Sequence, residues 1–177
     1  MSAAAKRKPA AKRSAAKRDI VFGLGKTGLS VARFLARNDR DAIFIDSRDE
    51  PPGIDDLHTI CPDAELHTGD IPDKLVKSAS RIIASPGIAD SDPFIVAARK
   101  AGVEVVSDIE LFTAEAQAPI VAITGSNGKS TVTTLLALMC DASGKTGLAG
   151  ANLGEPALDL LLEETPDFYV LELSSFQ

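Results

Sequence analysis

Residues 120–131 read Ile-Val-Ala-Ile-Thr-Gly-Ser-Asn-Gly-Lys-Ser-Thr, and this stretch decides how the second half of the chain folds. Its four leading apolar residues predict a buried strand, which ends where Gly125 and Gly128 introduce a loop. Apolar side chains then recur at helical spacing at Val132, Leu135, Leu136 and Met139. A strand, a glycine-containing loop and a helix form a cradle for phosphate, because loop amides and the helix N-terminus point hydrogen-bond donors at the anion. Lys129 would add positive charge, and the Ser130 hydroxyl would lie where a phosphate-bound Mg²⁺ needs a ligand.

The glycine spacing of this loop is shorter than that of the common nucleotide-binding loop. The common pattern has four residues between its glycines, whereas two residues separate Gly125 from Gly128, and Ile123 stands where the earlier glycine would fall. The alternative is an ordinary strand-to-helix turn rich in small polar residues. Packing alone gives no reason for Gly-Lys-Ser-Thr at such a junction, so we predict a phosphate site.

A second strand points to a metal at this site. Residues 168–173 predict an apolar strand, and Glu172 lies at its end. An acid in this position is the usual partner of a phosphate loop, because its carboxylate holds Mg²⁺ from across the sheet. The alternative for Glu172 is a surface charge at a strand end. We also expect the 168–173 strand to lack neighbours and to expose an apolar edge.

The first half of the chain contains another glycine motif. Residues 20–22 predict a short strand, Gly-Leu-Gly-Lys-Thr-Gly follows at 23–28, and a helix and a second strand lead to Asp46. This order is the fingerprint of dinucleotide-binding folds, in which the acid holds a ribose hydroxyl. Asp46 comes 18 residues after Gly28, near the expected ~20. The alternative is a βαβ unit whose glycines serve tight packing only.

Strands and helices alternate through the rest of the first half. Residues 81–84 and 103–106 predict further buried strands, Asp108 is expected to cap a short helix, and residues 54–75 are weakly patterned. This alternation predicts an α/β fold, with a Rossmann-like parallel-sheet N-terminal domain followed by the start of a P-loop ATPase-type α/β domain. Ligands of such sheets bind beyond the carboxyl ends of the strands, so three segments should converge on one crevice: 23–28, 46–48 and 85–87.

Composition argues against a membrane-spanning or disulfide-rich protein. No apolar run reaches the ~18 residues needed to cross a bilayer, and Cys61 and Cys140 are the only cysteines. We therefore expect a soluble protein of a reducing cytoplasm. The net charge of −6 is uneven, because residues 1–18 carry +7, which leaves −13 for the remainder. This Lys/Arg/Ala tail is expected to be a disordered, solvated segment, and contact with nucleic acid or anionic lipid and an organellar address stay open as alternatives.

Five motifs in order resemble those of the Mur ligases, the ATP-dependent amide-forming enzymes of peptidoglycan precursor synthesis. They read Gly-Leu-Gly-Lys-Thr-Gly at 23–28, Ala-Ser-Pro-Gly-Ile-Ala at 84–89, Ser-Asp-Ile-Glu-Leu-Phe at 107–112, Thr-Gly-Ser-Asn-Gly-Lys-Ser-Thr at 124–131 and Glu-Leu-Ser-Ser-Phe-Gln at 172–177. The shortened glycine spacing of the phosphate loop is part of the resemblance. Within the family, the motifs are most similar to the branch that adds D-glutamate to UDP-N-acetylmuramoyl-L-alanine.

The resemblance implies sets of site residues. Those that would bind the ATP phosphates are Gly125, Ser126, Asn127, Gly128, Lys129, Ser130 and Thr131. Those that would line the UDP-muramoyl-alanine site are Gly25, Lys26, Thr27, Asp46, Ser47, Arg48, Ser85, Pro86, Gly87, Asn152, Ser174 and Gln177. Ser130 and Glu172 would hold Mg²⁺, and catalytic roles would fall to Lys129, Glu172 and Asn152. Ala151 stands where the family usually has a second glycine.

The resemblance also implies a reaction, its partners and three regions. ATP would activate the substrate carboxylate as an acyl phosphate, which the amine of D-glutamate then attacks. The full-length enzyme would be a cytoplasmic monomer without a membrane partner, and only the basic tail leaves nucleic acid open. The regions would be a disordered tail at 1–18, a Rossmann-like UDP-sugar-binding domain at 19–113 and an incomplete central ATP-binding domain at 114–177.

Mur ligases continue beyond the equivalent of Gln177, and the family's second metal site and D-glutamate site have no counterpart here. We therefore expect a fragment that is inactive alone.

Two other functions share part of this pattern. A nicotinamide-dependent oxidoreductase would account for the 23–28 motif and Asp46 but not for the phosphate loop. A non-catalytic UDP-sugar-binding module would share every residue present.

Overall fold

The computed structural model describes residues 17–174 and contains two parallel β-sheets with helices packed on them. We call residues 17–115 the first half and residues 120–174 the second half. The α/β architecture, Rossmann-like in the first half, confirms the fold class predicted from the sequence. The basic tail up to residue 16 and Gln177 lie outside the described residues. Within residues 17–174, no helix has the length and apolar character that a bilayer crossing requires.

The first sheet has five strands, all parallel, in the spatial order β3-β2-β1-β4-β5. They are β1 Arg18–Phe22, β2 Ala42–Asp46, β3 Glu65–Thr68, β4 Ala79–Ala84 and β5 Glu104–Val106. The helices are α1 Lys26–Arg37, α2 Ile54–Ile60, α3 Lys74–Ser78, α4 Pro93–Lys100 and α5 Asp108–Glu115. The strand order changes direction between β1 and β4, and ligands of open parallel sheets bind at such a switch point.

Three details of the first half differ from the sequence prediction. β1 begins at Arg18, one residue before the expected start of the ordered region. The weakly patterned region 54–75 contains α2, β3 and the start of α3, which are four to seven residues long and therefore too short to show a clear periodicity. The cap of α5 is Ser107 rather than Asp108, because the Ser107 hydroxyl accepts the Glu110 amide while the Glu110 carboxylate accepts the Ser107 amide.

The second sheet has three parallel strands in the order β6-β8-β7. They are β6 Ile120–Ile123, β7 Gly147–Ala151 and β8 Phe168–Glu172; helix α6 at Lys129–Ala142 connects β6 to β7, and a 3₁₀ helix at Ala157–Leu162 precedes β8. The expectation of an exposed edge at residues 168–173 is wrong. The crossover through α6 leaves a gap between β6 and β7, and β8 fills it as the central strand.

Helix α6 follows the phosphate loop as predicted, but most of its apolar residues point away from the sheet. Four of them are more than half exposed: Val132, Leu135, Leu138 and Met139. The fully buried residue of the helix is Thr133, and Cys140 lies against Gly147 of β7. Helical spacing therefore identifies the helix but not the face that packs on the sheet.

A continuous apolar core joins the two halves. Side chains of α1 and α5 pack in one cluster with side chains of the 3₁₀ helix and β8. Phe112 of α5 and Tyr169 of β8 meet edge-on, with ring centroids 4.9 Å apart and an interplanar angle of 86°. The two halves are thus held together by packing as well as by the connection at residues 116–119.

Candidate functional site

The glycine motif after β1 makes a tight turn into α1. Gly23 has a φ of +101°, which side-chain-bearing residues rarely adopt. A Cβ atom on Gly28 would lie 1.8 Å from the Gly23 carbonyl oxygen, so only glycine lets α1 approach the turn. Gly25 caps α1, and a Cβ atom added at Gly25 would have no neighbouring atom within 4 Å. The motif therefore leaves room at a helix N-terminus, where an anion is favoured.

Asp46 ties the end of β2 to this turn. Its Oδ2 atom accepts hydrogen bonds from the Leu24 amide and from Arg48 Nη2, each at 2.7 Å. Its Oδ1 atom accepts hydrogen bonds from the Arg48 amide and from Arg48 Nε, each at 2.9 Å. Burial acts to raise the pKa of the Asp46 carboxyl, but the hydrogen bonds from Arg48 and Leu24 outweigh burial and hold the pKa at about 2. A ribose hydroxyl would have to displace Arg48 to reach this carboxylate.

Ser85 brings the end of β4 to the same turn. Its amide donates to the Phe22 carbonyl at 2.9 Å, and a Cβ on Gly23 would lie 2.9 Å from its hydroxyl oxygen. The three segments expected to converge therefore meet at the switch point between β1 and β4. The exposed residues of these segments are Lys26, Ser47, Arg48, Pro86 and Gly87, while Thr27 is half-buried.

The loop between β6 and α6 is exposed and built on two glycines. Gly125 has a φ of +146° and Gly128, which caps α6, a φ of +76°. Four further loop and first-turn residues are exposed: Ser126, Asn127, Ser130 and Thr131. The Lys129 ammonium donates to the Gly125 carbonyl at 2.9 Å and so lies over the loop. A phosphate in the loop would offer Lys129 a stronger, charge-assisted hydrogen bond in exchange.

Glu172 is buried at the start of this loop. It is 7% exposed, and its register partner in β6 is Ile123, the residue before Thr124. Its Oε2 atom has no hydrogen-bond partner within the described structure. A buried carboxylate oxygen without a partner costs free energy until a cation or a donor reaches it. This geometry fits a carboxylate that receives a metal ion.

The donor set also fits magnesium. Among residues 17–174, no group of three or more His, Cys, Asp or Glu side chains is placed to hold a metal ion. Mg²⁺ at nucleotide sites takes one or two carboxylates and completes its shell with phosphate oxygens and water. The Glu172 carboxylate and the Ser130 hydroxyl match that requirement.

The turn after β7 lies against Glu172. The Asn152 amide donates to the Glu172 carbonyl at 3.1 Å, and the Ala151 amide donates to the Glu155 carbonyl at 2.8 Å. Ala151 has a φ of +76°, a left-handed conformation that disfavours any residue with a Cβ. This chain therefore has a strained alanine directly before Asn152. Ser174, the last described residue, is half-buried beyond β8.

A cleft of about 260 Å³ lies between α1 and this turn. Lys26, Leu29 and Arg33 line it from α1, and residues 154–156 line it from the turn. It therefore opens between the two halves, next to residues predicted to bind substrate. A cleft of about 280 Å³ lies elsewhere, around residues 39–42 at the amino end of β2, and none of the predicted site residues lines it.

Two residues, Asp108 and Arg33, were not identified from the sequence as candidate site residues. Asp108 follows β5, is 4% exposed, and has an Oδ1 atom without a partner among the described residues. Burial raises the pKa of its carboxyl, with partial opposition from the amides of Asp108 and Ile109. The available signal was an acid near the carboxyl end of a predicted strand, two residues after β5, as Asp46 lies at the end of β2. Arg33 was missed because its partner, Asp159, is 126 residues away.

Two family models match the chain. The model of the Mur ligase MurD-like N-terminal domain matches residues 17–107, and the model of the Mur ligase middle domain matches residues 123–177. The first match covers the five-stranded sheet, and the second runs from the end of β6 through β8.

Relatives of known name are similar along nearly the whole chain. The chain is 52% identical over 158 residues to the UDP-N-acetylmuramoylalanine–D-glutamate ligase of Nitrosococcus oceani and 54% identical over 159 residues to that of Escherichia coli. Each match covers 89% of this chain and 35% of the relative. The chain thus spans about a third of the length of these relatives.

Solved structures share the fold at lower identity. A UDP-N-acetylmuramate:L-alanyl-gamma-D-glutamyl-meso-diaminopimelate ligase from Neisseria meningitides aligns with a TM-score of 0.55 at 15% identity, covering 92% of this chain and 55% of that one. A UDP-N-acetylmuramate-alanine ligase from Thermotoga maritima aligns with a TM-score of 0.51 at 19% identity, covering 89% and 37%.

Proposed function

Because this chain belongs to the Mur ligase family, we propose that it supplies the UDP-sugar site and the ATP-phosphate site of an enzyme that adds D-glutamate to UDP-N-acetylmuramoyl-L-alanine. Relatives named for this activity are 52% and 54% identical to it. Its substrates would be ATP, the UDP-linked muramoyl-alanine and D-glutamate, with Mg²⁺ as cofactor. The reaction would take place in the cytoplasm, as part of peptidoglycan precursor synthesis.

The observation that carries the proposal is the placement of Glu172 beside the phosphate loop. A buried carboxylate with an unpartnered oxygen, next to a strand that leads into Gly-Ser-Asn-Gly-Lys-Ser, has little use as a structural charge. It is suited to a cation that accompanies a nucleotide. A dinucleotide oxidoreductase would leave this second site without a role.

The crevice at the switch point suits an anionic nucleotide sugar. The N-terminus of α1 and the exposed cations Lys26 and Arg48 would favour a diphosphate. Asp46 fixes the Arg48 guanidinium with two side-chain hydrogen bonds, so Arg48 is already oriented when ligand arrives. The same bonds occupy the carboxylate that a dinucleotide would need for its ribose.

The chain's residues would contribute to the reaction by charge and alignment. Lys129 and the loop amides would bind the ATP phosphates and offset the charge that develops on the transferring phosphoryl group. Bound Mg²⁺, held by Ser130 and Glu172, would neutralise more of that charge. Asn152 would contact the muramoyl-alanine arm and hold its carboxylate towards ATP. Such alignment can supply on the order of 7–11 kcal/mol at best.

Calorimetric titration separates this proposal from a dinucleotide-binding function. The chain should bind UDP-N-acetylmuramoyl-L-alanine more tightly than NAD, and Arg48→Ala should weaken UDP-sugar binding by roughly tenfold through loss of a charge-assisted contact. Arg99→Ala, which removes an exposed guanidinium paired with Asp90, is the matched control and should have no effect. Tighter binding of NAD than of the UDP-sugar would overturn the proposal.

Titration with a non-hydrolysable ATP analogue tests the phosphate loop. Lys129→Ala should weaken binding of the analogue while leaving the affinity for UDP-N-acetylmuramoyl-L-alanine unchanged, because Lys129 faces the loop. Lys145→Ala is the control, since Lys145 is an exposed lysine of the second half that pairs with Asp167. Equal losses for both ligands would indicate that Lys129 is structural.

A further inference from the structure

An ion pair bridges the two halves beside the cleft that separates them. Arg33 Nε donates to Asp159 Oδ1 at 2.9 Å, and Arg33 Nη2 donates to Asp159 Oδ2, so the guanidinium binds the carboxylate with two parallel hydrogen bonds. The Asp159 side chain is 11% exposed and that of Arg33 is 37% exposed. A partly buried, bidentate pair is the kind that fixes orientation, unlike a single contact at the surface.

The position of Arg33 on α1 links this pair to the proposed substrate site. Lys26, Leu29 and Arg33 line the same cleft, so they share one side of α1, two helical turns from end to end. Lys26 belongs to the motif proposed to bind the UDP-sugar. The pair therefore lies at one end of a helix face whose other end holds substrate.

The position of Asp159 links the pair to the second half. Asp159 lies in the 3₁₀ helix at Ala157–Leu162, which is separated from Asn152 by a four-residue turn. The Ala151 amide donates to the Glu155 carbonyl within this turn, and the Asn152 amide donates to the Glu172 carbonyl of β8. A shift of the 3₁₀ helix would thus move Asn152 relative to α1.

Nearby carboxylates stabilise the charged form of Arg33. Hydrogen bonding to Asp159 raises the pKa of Arg33, with smaller electrostatic contributions from Glu155 and Asp56. Glu155 belongs to the turn after β7, and Asp56 lies in the first turn of α2. The Arg33 guanidinium thus interacts with carboxylates from both halves: Asp56 from the first, and Glu155 and Asp159 from the second.

We propose that Arg33 and Asp159 are positioning residues, whose ion pair sets the angle between the first and second halves so that one substrate molecule contacts both. This inference rests on the proposed function. UDP would contact the first half, through the crevice at the switch point, whereas the muramoyl-alanine arm would reach Asn152 in the second half. A ligand that spans both halves depends on their angle, and a ligand that binds one half does not.

Two measurements on the whole chain test this. The first is the distance distribution between spin labels at Lys100→Cys and Asp141→Cys, in a background with both native cysteines replaced by serine. Lys100 ends α4 in the first half and Asp141 lies near the end of α6 in the second, and both are exposed. Arg33→Ala and Asp159→Asn should broaden or shift the distribution. Arg33→Lys, which keeps the charge but loses the paired hydrogen bonds, should give an intermediate result.

The second measurement is the affinity for two ligands. Arg33→Ala and Asp159→Asn should each weaken UDP-N-acetylmuramoyl-L-alanine binding by roughly fivefold or more, and should change UDP binding by less than about twofold. The double variant should bind UDP-N-acetylmuramoyl-L-alanine no more weakly than the single variant with the lower affinity, because both changes remove the same interaction. Arg99→Ala serves as the control, since its pair with Asp90 lies within the first half.

The outcomes are separable. Suppose that both ligands bind the parent chain. If the variants then lower the affinity for UDP and for UDP-N-acetylmuramoyl-L-alanine equally, or if the label distances stay unchanged, the positioning role is wrong while the proposed function stands. If the parent chain binds neither ligand, the proposed function fails, and the distance measurement still decides whether the pair sets the angle.

Discussion

Replacing Ala151 with glycine should stabilise the protein, although it removes a methyl group. Ala151 has a φ of +76°, and the left-handed conformation costs a residue with a Cβ about 1–2 kcal/mol. Glycine avoids that cost but loses more conformational freedom on folding, which takes back about 0.5–1 kcal/mol. The expected net gain is about 0–1.5 kcal/mol, or up to roughly 6 °C in melting temperature for a chain of this size.

Thermal unfolding followed by circular dichroism, with urea unfolding as a second measure, would test this expectation. Two matched variants isolate the backbone effect. Ala149→Gly, in the same strand but without a positive φ, should destabilise the protein by about 0.5–1 kcal/mol, as an ordinary alanine-to-glycine change does. Gly154→Ala, at a φ of +76° with no atom within 4 Å of the added Cβ, should destabilise it through strain alone. If Ala151→Gly lowered the melting temperature as Ala149→Gly does, the argument from strain would be refuted.

Three further predictions concern the first half. Gly28→Ala should destabilise the protein by several kcal/mol, because its Cβ would lie 1.8 Å from a carbonyl oxygen, while Gly25→Ala should leave urea unfolding nearly unchanged but weaken UDP-sugar binding. Arg48→Ala should raise the pKa of Asp46 from about 2 towards 3.8, as followed by carbon NMR titration. Because the stability contributed by a depressed pKa is lost as the pH falls through the folded value, acid unfolding of this variant should begin at a higher pH. Asp108→Asn should stabilise the protein at pH 7, since burial raises the pKa of Asp108 and its charged form opposes folding; urea unfolding should show the gain fading as the pH falls through the raised folded pKa and absent below the ordinary value of 3.8.

Local sequence signals predicted the two glycine loops well. The Gly23–Gly28 turn depends on a positive φ and on close backbone approach, and the Gly125–Lys129 loop depends on two positive φ angles, so glycine in the sequence reports the backbone geometry directly. The strand ends next to them followed from hydrophobic runs. The convergence of Asp46 and Ser85 on the first turn followed in turn from the rule that parallel strands present their carboxyl ends on one edge.

Properties set by distant contacts were not accessible in the same way. The central place of β8 depends on the span of the α6 crossover, and no single strand's pattern contains that span. The outward face of α6 could not be distinguished from its packed face, since apolar residues occupy both. The hydrogen bonds of Arg48 to Asp46 and of Arg33 to Asp159 depend on side-chain placement across turns and between halves, which periodicity does not encode.

The edge-on contact between Phe112 and Tyr169 gives the protein an optical reporter of its own. Tyr169 is the only tyrosine, there is no tryptophan, and the ring is 2% exposed at the junction of α5 with β8. Fluorescence excited in the tyrosine absorption band therefore originates from one ring, at the place where the two halves meet. Burial also raises the pKa of the Tyr169 hydroxyl above its ordinary value of 10.0. Phenolate absorbance would therefore develop at lower pH once the halves part, and an unlabelled chain would report their separation during unfolding or on binding of a ligand.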